Sequence, residues 1–136
     1  MKEDCVHYKR KIFGYECDIY GHLNNANYLH LYEEARADAL EQMNLPIRKI
    51  REMGISIYVT HIEIDFKKGI ELEETVIIKS SISKMSRLKA IWKQEIYNSK
   101  NELCNIAQVT GVFVKAGKPG RISKELFERF LKFKEN

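Results

Sequence analysis

The chain has 136 residues, 44% of them apolar and 31% charged, which suits one folded domain and excludes a disordered or low-complexity protein. Its 23 basic and 19 acidic residues leave a net charge of +4 with the signs interleaved, so a nucleic-acid partner is not indicated. The three cysteines, Cys5, Cys17 and Cys104, are odd in number and widely spaced, which argues against a disulfide framework or a zinc site.

No apolar run approaches the ~20 residues of a membrane span, and the start MKEDCVHYKRK lacks the apolar stretch of a signal peptide. The expectation is a single cytoplasmic domain over residues 1–136, with no membrane partner, in a reducing compartment.

Loose alternation from Val6 to Gly14, with Tyr8 and Ile12 among basic residues, predicts a first strand. Asp18-Ile-Tyr-Gly-His-Leu-Asn-Asn is turn chemistry, because Asp and Asn bond to nearby backbone and Gly21 permits positive φ. From Asn25 the period becomes helical. Tyr28, Tyr32, Ala35, Ala39 and Met43 form one stripe, Glu33, Glu34, Arg36, Asp38 and Glu41 supply polar positions, and Asn44 with Pro46 closes the helix. A short second helix follows with Ile47, Ile50 and Met53 on one face and Gly54 as its stop.

Ile55 to Lys68 alternates as a strand whose phase changes near His61, which predicts a bulge. Alternation from Thr75 to Lys84 and from Leu88 to Tyr97 gives two more strands, and Asn98-Ser-Lys-Asn links the second to Leu103 through Lys115 as a hairpin. Lys118-Pro-Gly ends the sheet, and Lys124 to Lys132 reads as an amphipathic helix carrying Leu126, Phe127, Phe130 and Leu131. Strands of roughly 10 to 13 residues span ~33 to 43 Å, against ~28 Å for a central helix of ~19 residues. The expected fold is α+β: about five antiparallel strands, the last four a meander, curved around one long helix.

The segment from Gly14 to Arg36, GYECDIYGHLNNANYLHLYEEAR, concentrates the chemistry. Asp18 stands one turn before a helix N-terminus, whose first amides have no intrahelical partner and carry positive partial charge. A thioester carbonyl aimed at the backbone amides of Asn25 and Ala26 would have its oxyanion stabilised there, an effect of ~3 to 4 kcal/mol per donor in other enzymes. Asp18 would deprotonate water or attack the carbonyl itself, two routes that need the same placement.

Other roles compete. An Asp before a helix commonly caps it, although Asn24 or Asn25 can do so and leave Asp18 free. His22 is either a second acid-base group or a hydrogen-bonded support of the loop. Tyr28 reads as core, Arg36 as an ion-pair partner and His61 as a core or cleft histidine. A Cys17 thiolate would be repelled by the neighbouring carboxylate.

The order Asp18, His22, Asn24, Asn25, Tyr28, followed by Glu33-Glu34-Ala35-Arg36, resembles the hotdog-fold thioesterases of the 4-hydroxybenzoyl-CoA thioesterase family, nearest the bacterial long-chain acyl-CoA branch. Glu16 stands where many members have Asp, a change of little consequence if only Asp18 carries the chemistry. The resemblance implies a hotdog fold, hydrolysis of medium or long-chain acyl-CoA, and no cofactor beyond the coenzyme A of the substrate.

It also implies a homodimer or homotetramer with the active site at the dimer interface, completed by the partner's strand from Ile55 to Phe66. Lys84, Arg87 and Lys89 in the turn between the middle strands become candidates for the CoA phosphates, against the alternative that they only keep a sheet end soluble. Two further readings are a non-catalytic acyl-CoA-binding protein and an acyl-carrier dehydratase; the Asp-x-x-x-His-x-Asn-Asn order disfavours the second.

Overall fold

The computed structural model describes residues 5–135. In chain order it contains β1 (Val6–Lys11), a 3-10 turn (Gly14–Glu16), α1 (Asn27–Gln42), α2 (Ile47–Glu52), β2 (Ile55–Phe66), β3 (Thr75–Met85), β4 (Lys89–Tyr97), β5 (Leu103–Lys115), β6 (Lys118–Pro119) and α3 (Lys124–Leu131). The antiparallel strands pair in the order β1-β3-β4-β5-β2, and α1 packs on one face of the sheet against β1 and β3.

The stripe read from the sequence is the packed face of α1: Tyr28, Tyr32, Ala35, Ala39 and Met43 are all buried, together with Leu31 and Leu40. Ala35 and Ala39 carry little bulk, which lets the helix approach the sheet closely while the tyrosines fill the space to either side. Asn44, at φ 59°, takes the left-handed position after the helix, and the Leu45 amide donates to the Leu40 carbonyl at 2.8 Å.

The first turn differs from expectation. Asn24 takes the amides of Ala26 on its side chain and Asn27 on its carbonyl, so α1 begins at Asn27 and not at Asn25. In α2 only Ile50 is buried, while Ile47 and Met53 stay exposed because β2 leaves directly at Ile55.

The predicted bulge lies where the alternation changed phase, between Val59 and His61. The strand topology corrects the expected four-strand meander. β3, β4 and β5 do follow one another, but β2 lies beyond β5 at the far edge, and residues 67–74 carry the chain back across the end of the sheet. Alternation along a strand says which residues share a face, not which strand lies beside it. The two-residue β6 adds a sixth strand against the end of β5 that composition did not reveal. α3 lies where expected, capped by Ser123, whose hydroxyl accepts the Leu126 amide at 3.1 Å. No helix among the described residues is long and apolar enough to cross a membrane.

Candidate active site

Between β1 and α1 the chain doubles back on itself. Cys17 and Leu23 form an isolated antiparallel bridge, and inside it the Asp18 amide donates to the His22 carbonyl at 2.8 Å. Gly21 closes the turn at φ 79°, a conformation that favours glycine.

The Asp18 carboxylate does not cap α1. Its Oδ1 accepts the amides of Tyr20 at 2.8 Å and His22 at 3.3 Å, which holds the side chain in an Asx turn of its own. Oδ2 has no hydrogen-bond partner among the described residues. One oxygen is thus committed to holding the turn and the other is not.

The crossing connection supplies the opposite wall. The Leu23 amide donates to the Ile70 carbonyl at 2.7 Å and the Leu72 amide to the Gly21 carbonyl at 2.9 Å, drawing the two loops together. Between them opens a cleft of about 480 Å³ lined by Asp18, His22, Asn25, Tyr28, Phe66, Lys67 and Gly69, among others. Its volume is within the ordinary range for a small-molecule site, roughly 300 to 1,000 Å³.

Tyr28 and Phe66 meet edge to face at 5.1 Å between ring centroids and give the cleft an apolar floor. Tyr28 is therefore both core and cleft. Burial pushes its hydroxyl up to about 12, so at neutral pH it is a neutral donor and not a base.

The two amides expected to hold the oxyanion are not equivalent. Asn25 lines the cleft and its amide makes no hydrogen bond among the described residues, whereas the Ala26 amide donates to Asn24 Oδ1 at 3.0 Å. The expectation of two free donors is corrected to one free and one shared.

His22 lines the cleft, and its ring makes no hydrogen bond among the described residues. The ring lies over Gly69, where an added Cβ would stand 3.3 Å from His22 Cδ2. Gly69→Ala should displace the ring by a few tenths of an ångström and lower kcat/KM by about threefold to tenfold at unchanged urea midpoint, since 1 Å of misplacement can cost ~100-fold. Steady-state kinetics beside a denaturation curve checks it.

Two other expectations change, and a third holds. Arg36 forms no ion pair among the described residues; its Nη1 donates to Gln94 Oε1 at 2.9 Å, and burial lowers its pKa. His61 is exposed on the sheet edge, 3.3 Å from Glu63, and is remote from the cleft residues. The Cys17 thiol is pushed up by burial, then by Asp18 and Glu16, as the adjacent carboxylate suggested.

Within the chain Lys84, Arg87 and Lys89 are not brought to Asp18. Their turn stands at the end of the sheet where Lys89, Val112 and Tyr58 are in register, while the cleft lies at the Phe66 end. Arg87 is partly committed, its Nε donating to the Ile122 carbonyl at 2.7 Å. The cations at the cleft itself are Lys67 and Lys68, the second paired with Glu102 at 2.8 Å. Sequence reading missed both, together with Gly69, because they join the site only through the crossing of residues 67–74, and it expected the strand ending at Phe66 to reach the site from the partner, whereas Phe66 lines the cleft of its own chain.

Beneath the turn, Arg10 donates to both carboxylate oxygens of Glu16 at 2.6 Å. The guanidinium, with help from the Phe13 amide, holds Glu16 below the usual carboxylate range although burial opposes this. A depressed folded pKa contributes stability that is complete above the unfolded value and disappears as pH falls through the folded one. The urea midpoint of the wild type should therefore drop between about pH 5 and pH 3, and drop less in Glu16→Gln, which has no such proton to bind.

A family model described as the thioesterase-like superfamily matches residues 14–130. The long-chain acyl-CoA thioesterase FadM of Escherichia coli is 33% identical over 86 residues, 63% of this chain and 64% of that protein, so the chain aligns with just under two thirds of that relative. The acyl-CoA thioester hydrolase YbgC of Escherichia coli is 23% identical over 88% of this chain and 91% of its own. The crystal structure of a DHNA-CoA thioesterase from Staphylococcus aureus superposes with a TM-score of 0.88 at 27% identity, covering 94% of this chain and 89% of the other.

Proposed function

Since the chain belongs to the thioesterase-like superfamily of hotdog-fold thioester hydrolases, we propose that it hydrolyses acyl-CoA thioesters of medium to long chain, with Asp18 as general base. The observation that carries this reading is that Asp18, with one carboxylate oxygen unpaired among the described residues, and Asn25, with its amide unbonded there, line one cleft with an apolar floor.

A thioester carbonyl oxygen placed at the Asn25 amide leaves its carbon open to a water held by Asp18. The carboxylate takes a proton as the water oxygen bonds to carbon, and the amide meets the negative charge that gathers on the carbonyl oxygen. Collapse of the tetrahedral species breaks the C–S bond, and the thiolate of coenzyme A receives the proton from Asp18. Acid and thiol leave, and the carboxylate is restored.

The second copy enters through β2. This strand has a neighbour on one side only, and Tyr58, Val59 and Phe66 are exposed along it. A twelve-residue unpaired edge with apolar side chains is a template for another strand. Antiparallel β2 pairing about a two-fold axis brings the partner's Lys84–Lys89 turn to the same end of the joined sheet as Asp18. In that arrangement the partner's Lys84 and Lys89, with Lys67, meet the phosphates of the nucleotide while the acyl chain follows the Tyr28–Phe66 floor. Paired dimers would form a tetramer, in the cytoplasm where acyl-CoA is made and used.

Release of free thiol from acyl-CoAs of increasing length tests the reaction and its preference together. The expected result is turnover rising toward medium and long chains. Binding of the same compounds without thiol release would replace hydrolysis with simple acyl-CoA binding.

A further inference from the structure

We propose that Arg10 and Glu16 form a buried clamp that positions the Asp18 turn against the start of α1, making both residues determinants of kcat although neither reaches the cleft. The proposal rests on the hydrolase reading given above.

The clamp joins three elements. Arg10, on β1, donates Nη1 and Nη2 to the two oxygens of Glu16, each at 2.6 Å, and Nε to Glu34 Oε1 on α1 at 2.7 Å. Tyr8 adds its hydroxyl to the same Glu34 oxygen at 3.0 Å. The side chains of Arg10 and Glu16 are only 13% and 5% exposed, so the pair is shielded from water and its fork geometry is held on both sides.

Glu16 transmits that anchorage through its backbone. Its carbonyl accepts the Asn24 amide at 2.9 Å and Asn27 Nδ2 at 2.8 Å, while its Oε1 also accepts the Phe13 amide at 3.0 Å. Asp18 lies two residues after Glu16, and the Asn25 amide lies between the two asparagines that Glu16 holds. Glu16 therefore helps set the distance between base and oxyanion donor from beneath, beside the Asp18–His22 hydrogen bonds that close the loop from within. The 3-10 turn of Gly14–Glu16 has no long run of backbone hydrogen bonds of its own to do the same.

A stabilising ion pair without this role would change melting and leave turnover alone. The two are separated by kinetics at a temperature where every variant is folded, using Glu16→Gln, Arg10→Met and Arg10→Lys, and Glu16→Gln combined with Asp18→Asn. Glu16→Gln should lower kcat about tenfold to a hundredfold with KM for acyl-CoA within twofold. Arg10→Met should do the same, and Arg10→Lys should recover part of the loss, because an ammonium restores the charge but not the fork.

In the Asp18→Asn background, Glu16→Gln should cost nothing further, as expected of two residues acting through one group. An active wild type whose kcat is unchanged by Glu16→Gln, or losses that multiply in the double variant, overturns the clamp. If Glu16→Gln does not fold, Arg10→Lys against the wild type decides: equal kcat overturns the clamp, and a lowered kcat at constant KM supports it. A wild type that releases no thiol overturns the hydrolase reading and the clamp's catalytic role with it, a result distinct from the others.

Discussion

Asp18→Asn lowers kcat for acyl-CoA hydrolysis by at least about a hundredfold while substrate affinity stays within about threefold of the wild type. The substitution is nearly isosteric. Asn Oδ1 still accepts the Tyr20 and His22 amides that Asp18 Oδ1 accepts now, so the turn keeps its shape. What is lost is the carboxylate oxygen that the turn leaves unpaired, replaced by an amide that cannot take a proton from water.

Because Asp18 is exposed, the change should move the unfolding free energy by no more than about 0.5 kcal/mol. Thiol release measured beside equilibrium binding of a non-hydrolysable acyl-CoA separates the two effects. Turnover within threefold of the wild type would remove Asp18 from the mechanism. Multiple turnovers in ¹⁸O water refine the result: a base leaves the Asp18 carboxylate unlabelled, so label in it identifies a nucleophile whose anhydride water opens at the Asp18 carbonyl.

The second large effect concerns the open edge of the sheet. Tyr58→Asp with Val59→Asp should give a monomer in sedimentation at micromolar concentration, with kcat/KM reduced at least about tenfold. Tyr58 and Val59 are 58% and 46% exposed in the single chain, so the acids cost little there, yet in a two-fold pairing of β2 they would face like charges. Under the proposed pairing, activity falls because the partner's end of the joined sheet would no longer stand beside the cleft. A wild type that is monomeric and fully active would show that one chain makes the whole site.

The elements were legible because each depends on neighbours in sequence. The helical stripe from Tyr28 to Met43, the bulge near His61 and the Asn98–Asn101 hairpin are all local patterns, and the structure places them as read. Errors arose where local signals compete. The asparagines at 24 and 25 signal both turn and helix, and the Asx turn at Asn24 delayed α1 to Asn27 and engaged the Ala26 amide.

At the site, the order Asp18, His22, Asn25, Tyr28 identified one wall of the cleft, since these residues lie within eleven positions on one loop and one helix turn. Phe66, Lys67 and Gly69 form the other wall and carry no motif. Glu16 was read as a neutral replacement for Asp, because nothing in its neighbourhood in the sequence announces a bidentate contact with Arg10 across the end of β1.

Sequence alone determined the kind of elements, the face each one buries and the short segment that lines one wall of the cleft, because backbone preference and side-chain period act over a few residues. Tertiary structure alone decided that β2 crosses to the far edge, that residues 67–74 close a cleft over Asp18, and that one of its carboxylate oxygens is spent on the turn. Those outcomes depend on which distant surfaces bury one another and which polar groups remain unpaired after they do.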